Sequence, residues 1–255
     1  MIYQHIRQST AVINYGGTRF LVDPMLSKKG TLPSFDPAKN GSVQKNPTVD
    51  LPIAIEEIIQ SIDAVILTHL HLDHWDSTAA NVINKEIPIF VQNEIDQTII
   101  LKQGFSNVIV LTNNTIFNNI TLIKTKGNHG RNPQILEMAG EVCGVVFKHT
   151  KEKTLYLAGD TVWYSEVKKT LTEYQPEIII VNAGGNAFSE GGSLVMEPED
   201  VQMVANQMPK STIIAVHMEG TNHNYVSREE LRQFSNERQF KQQLTIPIDG
   251  EILTF

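Results

Sequence analysis

The chain has one cysteine, two tryptophans and no Lys/Arg cluster in 255 residues, and no apolar run long enough to span a bilayer as a helix. A lone cysteine excludes an intrachain disulfide. Cys143 lies in the apolar run Val142-Cys143-Gly144-Val145-Val146 and reads as a small core residue. The missing basic cluster and a formal net charge of -7 argue against a dedicated nucleic-acid surface. They leave a small anionic substrate admissible, because bound divalent cations reverse the local field. Met1 to Arg7 lacks a signal-peptide core. The expectations are therefore a cytoplasmic protein with no membrane and no nucleic-acid partner. There is no short-period repeat, low-complexity tract or composition break, so residues 1–255 read as a single domain. An apolar fraction of 41% supplies a core without disulfides.

What the chain does have is His69-Leu70-His71-Leu72-Asp73-His74, directly after the buried-strand run Ala64-Val65-Ile66-Leu67-Thr68. Three of eight histidines fall within these six residues, which packing does not explain. His69 and His71, two apart in extended chain, project to one side and can clamp one ion. Asp73 and His74 are adjacent and reach a common centre only if the chain turns. Imidazole nitrogen and carboxylate oxygen are ligands for zinc and similar divalent ions.

Around this stretch the chain alternates strand and helix signals. A hairpin is predicted for residues 11–15 and 18–22 around Gly16-Gly17. Residues 27–52, rich in proline and turn signals, read as one long loop, either a lid or binding loop or a disordered surface insertion. Helices are predicted over residues 52–62, 77–84, 94–102, 164–173 and 198–208, with a last one opened by the capping box at Ser227. Strands are predicted over 87–91, 107–111, 117–125, 141–149, 154–158, 177–181 and 212–216, with closing strand material in 244–255. Four apolar strands lead into potential ligands: the histidine motif, the loop of His129, Asp160, and His217.

The motif His-x-His-x-Asp-His, the Gly127-Asn128-His129-Gly130 loop, Ala158-Gly159-Asp160-Thr161 and the strand-end His217 resemble the metallo-β-lactamase superfamily along essentially the whole chain. Among its branches the chain looks most like small bacterial metal-dependent hydrolases related to ascorbate-6-phosphate lactonase, helped by the hairpin followed by Val22-Asp23-Pro24. The resemblance implies an α/β, four-layer αββα sandwich. It implies His69, His71 and His129 on a first metal, with Asp73, His74 and His217 on a second, and Asp160 bridging both. Two divalent ions follow, zinc first, with manganese or iron admissible, and a metal-bridging hydroxide as nucleophile. Asp73 could also orient that hydroxide.

Beyond the ligands, His223 is the candidate leaving-group acid. Trp75, Arg131, Trp163, Asn182 and Glu219 are candidate substrate contacts, and Arg7 another partner for an anionic group. Asp23 either hydrogen-bonds a ligating imidazole from behind or caps the turn before Pro24. The first functional reading is a dinuclear hydrolase of a small ester, lactone or phosphorylated sugar derivative. The alternative is a phosphodiesterase or phospholipase D-like activity of the same superfamily. A small-molecule substrate is the expected partner, and a homo-oligomer is compatible with the sequence.

Overall fold

A computed structural model describes residues 1–255. Two seven-stranded mixed sheets face one another. The first is built from β1 (Ile2–Arg7), β2 (Thr10–Tyr15), β3 (Thr18–Val22), β4 (Ala64–Ile66), β5 (Ile89–Val91), β6 (Val108–Val110) and β14 (Ile252–Thr254). Its order is β14-β1-β2-β3-β4-β5-β6. The second takes β7 (Thr115–Phe117), β8 (Ile120–Lys126), β9 (Cys143–Lys148), β10 (Leu155–Leu157), β11 (Ile178–Asn182), β12 (Thr212–Val216) and β13 (Leu244–Thr245). Its order is β13-β12-β11-β10-β9-β8-β7.

Side chains alternate across each strand, and three apolar layers result. Phe20, Val22, Ala64 and Ile66 from the first sheet meet Ile178, Ile180, Ile214 and Val216 from the second in the inner layer. Their neighbours Leu21, Val65 and Leu67 face outward onto Ile58, Ala79 and Ile100. These three belong to α1 (Ile55–Ile59), α2 (Ser77–Val82) and α3 (Glu94–Lys102). On the far side Ile179, Val181, Ile213 and Ala215 pack against Val167, Leu171, Val201, Val204 and Leu231. Those come from α5 (Ser165–Tyr174), α6 (Pro198–Gln207) and α7 (Arg228–Glu237). The order helix, sheet, sheet, helix is the αββα sandwich. Burial on both faces explains why these strands read as continuous apolar runs.

Strands β3 to β6 and β10 to β13 run parallel within their sheets. The loops that leave β4, β10, β11 and β12 emerge at carboxyl ends of parallel strands, where open α/β sheets place ligands. Strand β1 was not foreseen from the sequence. Neither was α4 (Pro133–Ala139), which Asn132 caps by accepting from the Ile135 N–H. The strand expected over 117–125 is instead a hairpin, β7 and β8 turning at Asn118-Asn119, both at positive φ. The other elements lie where predicted, within a few residues at their ends.

Candidate metal centre

Beyond β4 the backbone turns: the N–H groups of His74 and Trp75 both donate to the His71 carbonyl at 2.9 Å. That turn carries Asp73 and His74 to the same centre as His69 and His71. Asp160 leaves β10 through Gly159, whose φ is +68° and whose added Cβ would lie 2.5 Å from the Cys143 carbonyl. Only glycine suits that approach. His217 leaves β12 with φ +63°, its N–H donating to the Gln8 carbonyl at 2.9 Å.

The seven predicted ligands converge as two groups, His69/His71/His129 and Asp73/His74/Asp160/His217, each with ligand atoms within 4.8 Å of one another. Asp160 sits between them. Its Oδ2 lies 3.2 Å from His74 Nε2, 3.5 Å from His129 Nε2 and 4.0 Å from His69 Nε2. Its Oδ1 lies 3.5 Å from His217 Nε2. Asp73 Oδ2 is 3.3 Å from His217 Nε2.

Neighbouring groups fix which imidazole nitrogen faces inward. Asp23 accepts from Thr68 N–H and Thr68 Oγ1 at 2.8 Å each and lies 2.9 Å from His74 Nδ1. His129 Nδ1 donates to the Leu194 carbonyl at 2.9 Å. Both arrangements leave Nε2 free to ligate. Asn182 donates to Asp160 Oδ1 at 2.5 Å.

The electrostatics are those of a cation site. Burial opposes ionisation of Asp160, yet the charges of His217, His74 and His129 hold its carboxyl well below the usual range. Asp73 is likewise depressed, burial being outweighed by His74 and His217. His74 is driven well above its ordinary value, because Asp160, Asp23 and Asp73 overcome its burial. His69 is driven well below, by burial and by His74 and His71. Its Nε2 is buried with no hydrogen-bond partner. Inward-facing imidazole nitrogens around two ionised carboxylates, one of them orphaned, match the donor set of divalent metal ions.

A family model described as "Beta-lactamase superfamily domain" matches residues 18–218. The chain belongs to that superfamily. It is 49% identical over 250 residues to the UPF0173 protein YddR of Bacillus subtilis, covering 98% of each chain. A UPF0173 metal-dependent hydrolase of Koribacter versatilis is 23% identical over 81% of this chain and 78% of its own. Two solved structures superpose over the full chain and 99% of their own lengths. One is a possible metal-dependent hydrolase from Veillonella parvula, with TM-score 0.96 and 40% identity. The other is an isothiocyanate hydrolase from Delia radicum gut bacteria, with TM-score 0.95 and 39% identity. The protein is a metal-dependent hydrolase of the metallo-β-lactamase fold.

Several sequence-predicted contacts lie elsewhere. Trp75 is core: its Nε1 donates to Gln103 Oε1 at 2.8 Å and its ring packs on Phe105. Trp163 packs against the outer core under α5 to α7. Arg131 is engaged by Asp200, by Glu197 at 3.3 Å and by Ser193 Oγ at 2.7 Å. Glu219 pairs with Arg228 at 2.6 Å. Asn182 touches Asp160 instead of lining the pocket. Arg7 is fully buried, donating to the carbonyls of Val49, Met25 and Ser27. Each cation is consumed by a nearby anion or carbonyl.

His223 does reach the pocket, but burial lowers its pKa to about 4. It is neutral near pH 7 and no imidazolium acid. The Asn186 amide nitrogen lies 3.2 Å from Nε2 and donates to it, which places the proton on Nδ1. That Nδ1 has no partner.

Gln8 was not foreseen. It is fully buried at φ +57°, and its Nε2 lies 3.0 Å from Asp73 Oδ2 and 2.5 Å from His217 Nε2. The Ser9 N–H donates to its Oε1 at 2.6 Å, which fixes the amide with NH2 toward the ligands. No sequence signal marked it, because the turn that holds it follows β1, a strand that was itself not foreseen.

A cavity of about 310 Å³ opens onto His71, Asp73, His129 and Asp160. Its walls are Phe35, Leu70, Leu72, Met138, Phe188 and Leu194, with Ala139 and His223.

Proposed function

We propose that this hydrolase holds two divalent ions and acts on a small neutral electrophile bearing an apolar substituent, an isothiocyanate being the representative substrate. One observation carries the reading: the cavity beside the ligands has an apolar wall and no Lys or Arg among its lining residues. A phosphate or sugar phosphate would find no cationic side chain there to receive it. A neutral R–N=C=S group, whose substituent gains from leaving water, fits such a wall. The likeness to the isothiocyanate hydrolase supports the same class.

The His69/His71/His129 group would hold one ion, and Asp73, His74 and His217 the other, with Asp160 shared. Zinc, manganese and iron all suit these donors. Bound ions would supply Lewis acidity and an activated water. The chain's own groups divide the remaining work. Asp23 and the Leu194 carbonyl fix the imidazole tautomers, and Asn182 and Gln8 orient the carboxylates. The apolar wall excludes bulk water. The Nδ1–H of neutral His223 donates a hydrogen bond to the substrate heteroatom. Addition of water to the central carbon forms a C–O bond, and cleavage of the C–N bond releases the amine. The balance is R–NCS + H2O → R–NH2 + COS.

The test is a substrate panel on metal-loaded enzyme: benzyl isothiocyanate, a γ-lactone, p-nitrophenyl acetate and bis(p-nitrophenyl) phosphate. Fastest turnover of the isothiocyanate, with stoichiometric benzylamine, supports the proposal. Preferred turnover of the phosphodiester overturns it. Preferred opening of the lactone or ester would keep the neutral class and replace the representative substrate.

A further inference from the structure

The segment 27–52 and the loop after β12 are joined by Thr48, which bonds to the carbonyls of Glu219 and Gly220, and by Asn40, which bonds to those of Asn222 and Asn224. They are also joined by the Asn222 side chain, which alone holds Phe35. Asn222 is buried, and its amide uses every hydrogen-bonding position it has. Oδ1 accepts from Phe35 N–H at 2.8 Å and from Asn46 Nδ2 at 3.0 Å. Nδ2 donates to the carbonyls of Phe35 at 3.0 Å and Ser42 at 2.8 Å. One amide thus grips both backbone polar groups of Phe35, which fixes where that residue sits. The Asn222 N–H returns a bond to Asn46 Oδ1 at 2.8 Å.

Phe35 is thereby placed edge-on to His223, ring centroids 4.6 Å apart. Phe188 stacks near the same imidazole at 5.9 Å with an interplanar angle of 23°. The two phenylalanine segments are tied together, Lys39 N–H donating to Ala187 O at 3.0 Å and Ser189 N–H to Pro37 O at 2.9 Å. All three rings line the cavity over the metal ligands.

We propose that Asn222 is a positioning residue that locks Phe35 in place, and that Phe35, His223 and Phe188 form the subsite for an aromatic or bulky apolar substituent. The substituent part rests on the proposed isothiocyanate reading; the locking part does not. Ring pairs at these separations attract beyond the area they bury. A bound phenyl group extends the cluster, whereas a methyl group does not reach it.

The experiment compares wild type with Asn222→Ala, Asn222→Asp and Phe35→Ala, using methyl and benzyl isothiocyanate, metal content, and tryptic cleavage after Lys39 and Lys45. Loss of about 1.4 kcal/mol of substituent contact is tenfold in affinity. Asn222→Ala and Phe35→Ala should therefore raise KM for the benzyl substrate about tenfold or more. Bound metal should stay within about twofold of wild type, and KM should rise much less for the methyl substrate than for the benzyl substrate. Asn222→Ala should also speed tryptic cleavage, and Phe35→Ala should not. Asn222→Asp keeps shape and acceptor but loses both donated bonds. It should give the same pattern, and it serves if the alanine variant does not fold. Equal loss of both substrates with metal retained, or wild-type benzyl KM, overturns the subsite. Unchanged cleavage in both Asn222 variants overturns the lock. A wild type inert toward isothiocyanates refutes the proposed function, and the cleavage comparison still decides the lock.

Discussion

Replacing Asp23 by asparagine tests how a side chain that touches no ion controls one. The Asp23 carboxylate is buried, with Oδ1 taking the Thr68 N–H and Oδ2 taking Thr68 Oγ1 and His74 Nδ1. Asparagine keeps the volume but must put an NH2 on one side. On the Oδ1 side it would face the Thr68 N–H, which cannot become an acceptor. On the Oδ2 side the Thr68 hydroxyl can rotate to accept, and His74 can move its proton from Nδ1 to Nε2. The second arrangement wins, and it protonates the nitrogen that faces Asp160 at 3.2 Å. Restoring the ligating tautomer forfeits a charge-assisted hydrogen bond, worth about 1.5–3 kcal/mol.

Asp23→Asn should therefore weaken the ion in the Asp73/His74/Asp160/His217 group by about 10- to 100-fold. The His69/His71/His129 group should change little, since none of its ligands bonds to Asp23. Stepwise zinc titration against a chromophoric chelator resolves the two equivalents. Thr68→Val is the control. It removes one donor to Asp23 and leaves the His74 contact, but it also takes away the hydroxyl 3.1 Å from His69 Nδ1. It should therefore spare the second group and weaken the His69/His71/His129 group instead. Two equivalents binding to Asp23→Asn as tightly as to wild type would refute the tautomer reasoning and reduce Asp23 to a cap on its turn.

Two further perturbations follow from buried polar groups. Gln8→Ala removes the amide donor beside Asp73 and His217, and should cost about 1–3 kcal/mol of stability and weaken the second equivalent of metal more than the first. Urea unfolding and metal analysis after dialysis check this, and unchanged values for both would show that the amide only fills space. His223 takes up a proton at pH 6.5 when unfolded and at about 4 when folded. Between those values the unfolded state binds more protons, so stability falls as pH drops through the window, by up to about 3 kcal/mol. In His223→Gln that component disappears. The stability difference between wild type and variant should shrink from pH 7 to pH 4, and a flat difference would mean that the imidazole is not held neutral.

The fold was legible wherever one signal dominated. The parallel strands are apolar on both faces, and the helix starts at Asp76, Asn93 and Ser227 carry capping residues that the structure uses. Strand β1 was illegible because Ile2–Arg7 places His5 and Arg7 at buried positions. Their satisfaction comes from distant groups, Asp249 at 3.5 Å for His5 and three loop carbonyls for Arg7. Helix α4 carried its signal openly in Asn132-Pro133, a cap followed by a first-turn proline. The glycines and asparagines just before it outweighed that signal.

The two halves of the site differ in legibility for a physical reason. A metal centre needs specific donor atoms at the ends of rigid strands, so its ligands stand out by residue type even when 148 positions separate His69 from His217. A substrate wall needs only apolar surface, which Leu70 and Leu72 provide from within the motif without looking like anything but spacers. Aromatic and cationic residues near the ligands in sequence looked like the better candidates. Trp75 went to the core and Arg131 to Asp200, because a buried indole needs packing and an accessible guanidinium finds the nearest carboxylate. The wall was assembled from Phe35 and Phe188 instead, brought together by bonds that span up to 187 residues. Specificity is thus free to vary with the 27–52 segment while the seven ligands stay fixed, and exchanging that segment between relatives should move substrate preference without moving metal content.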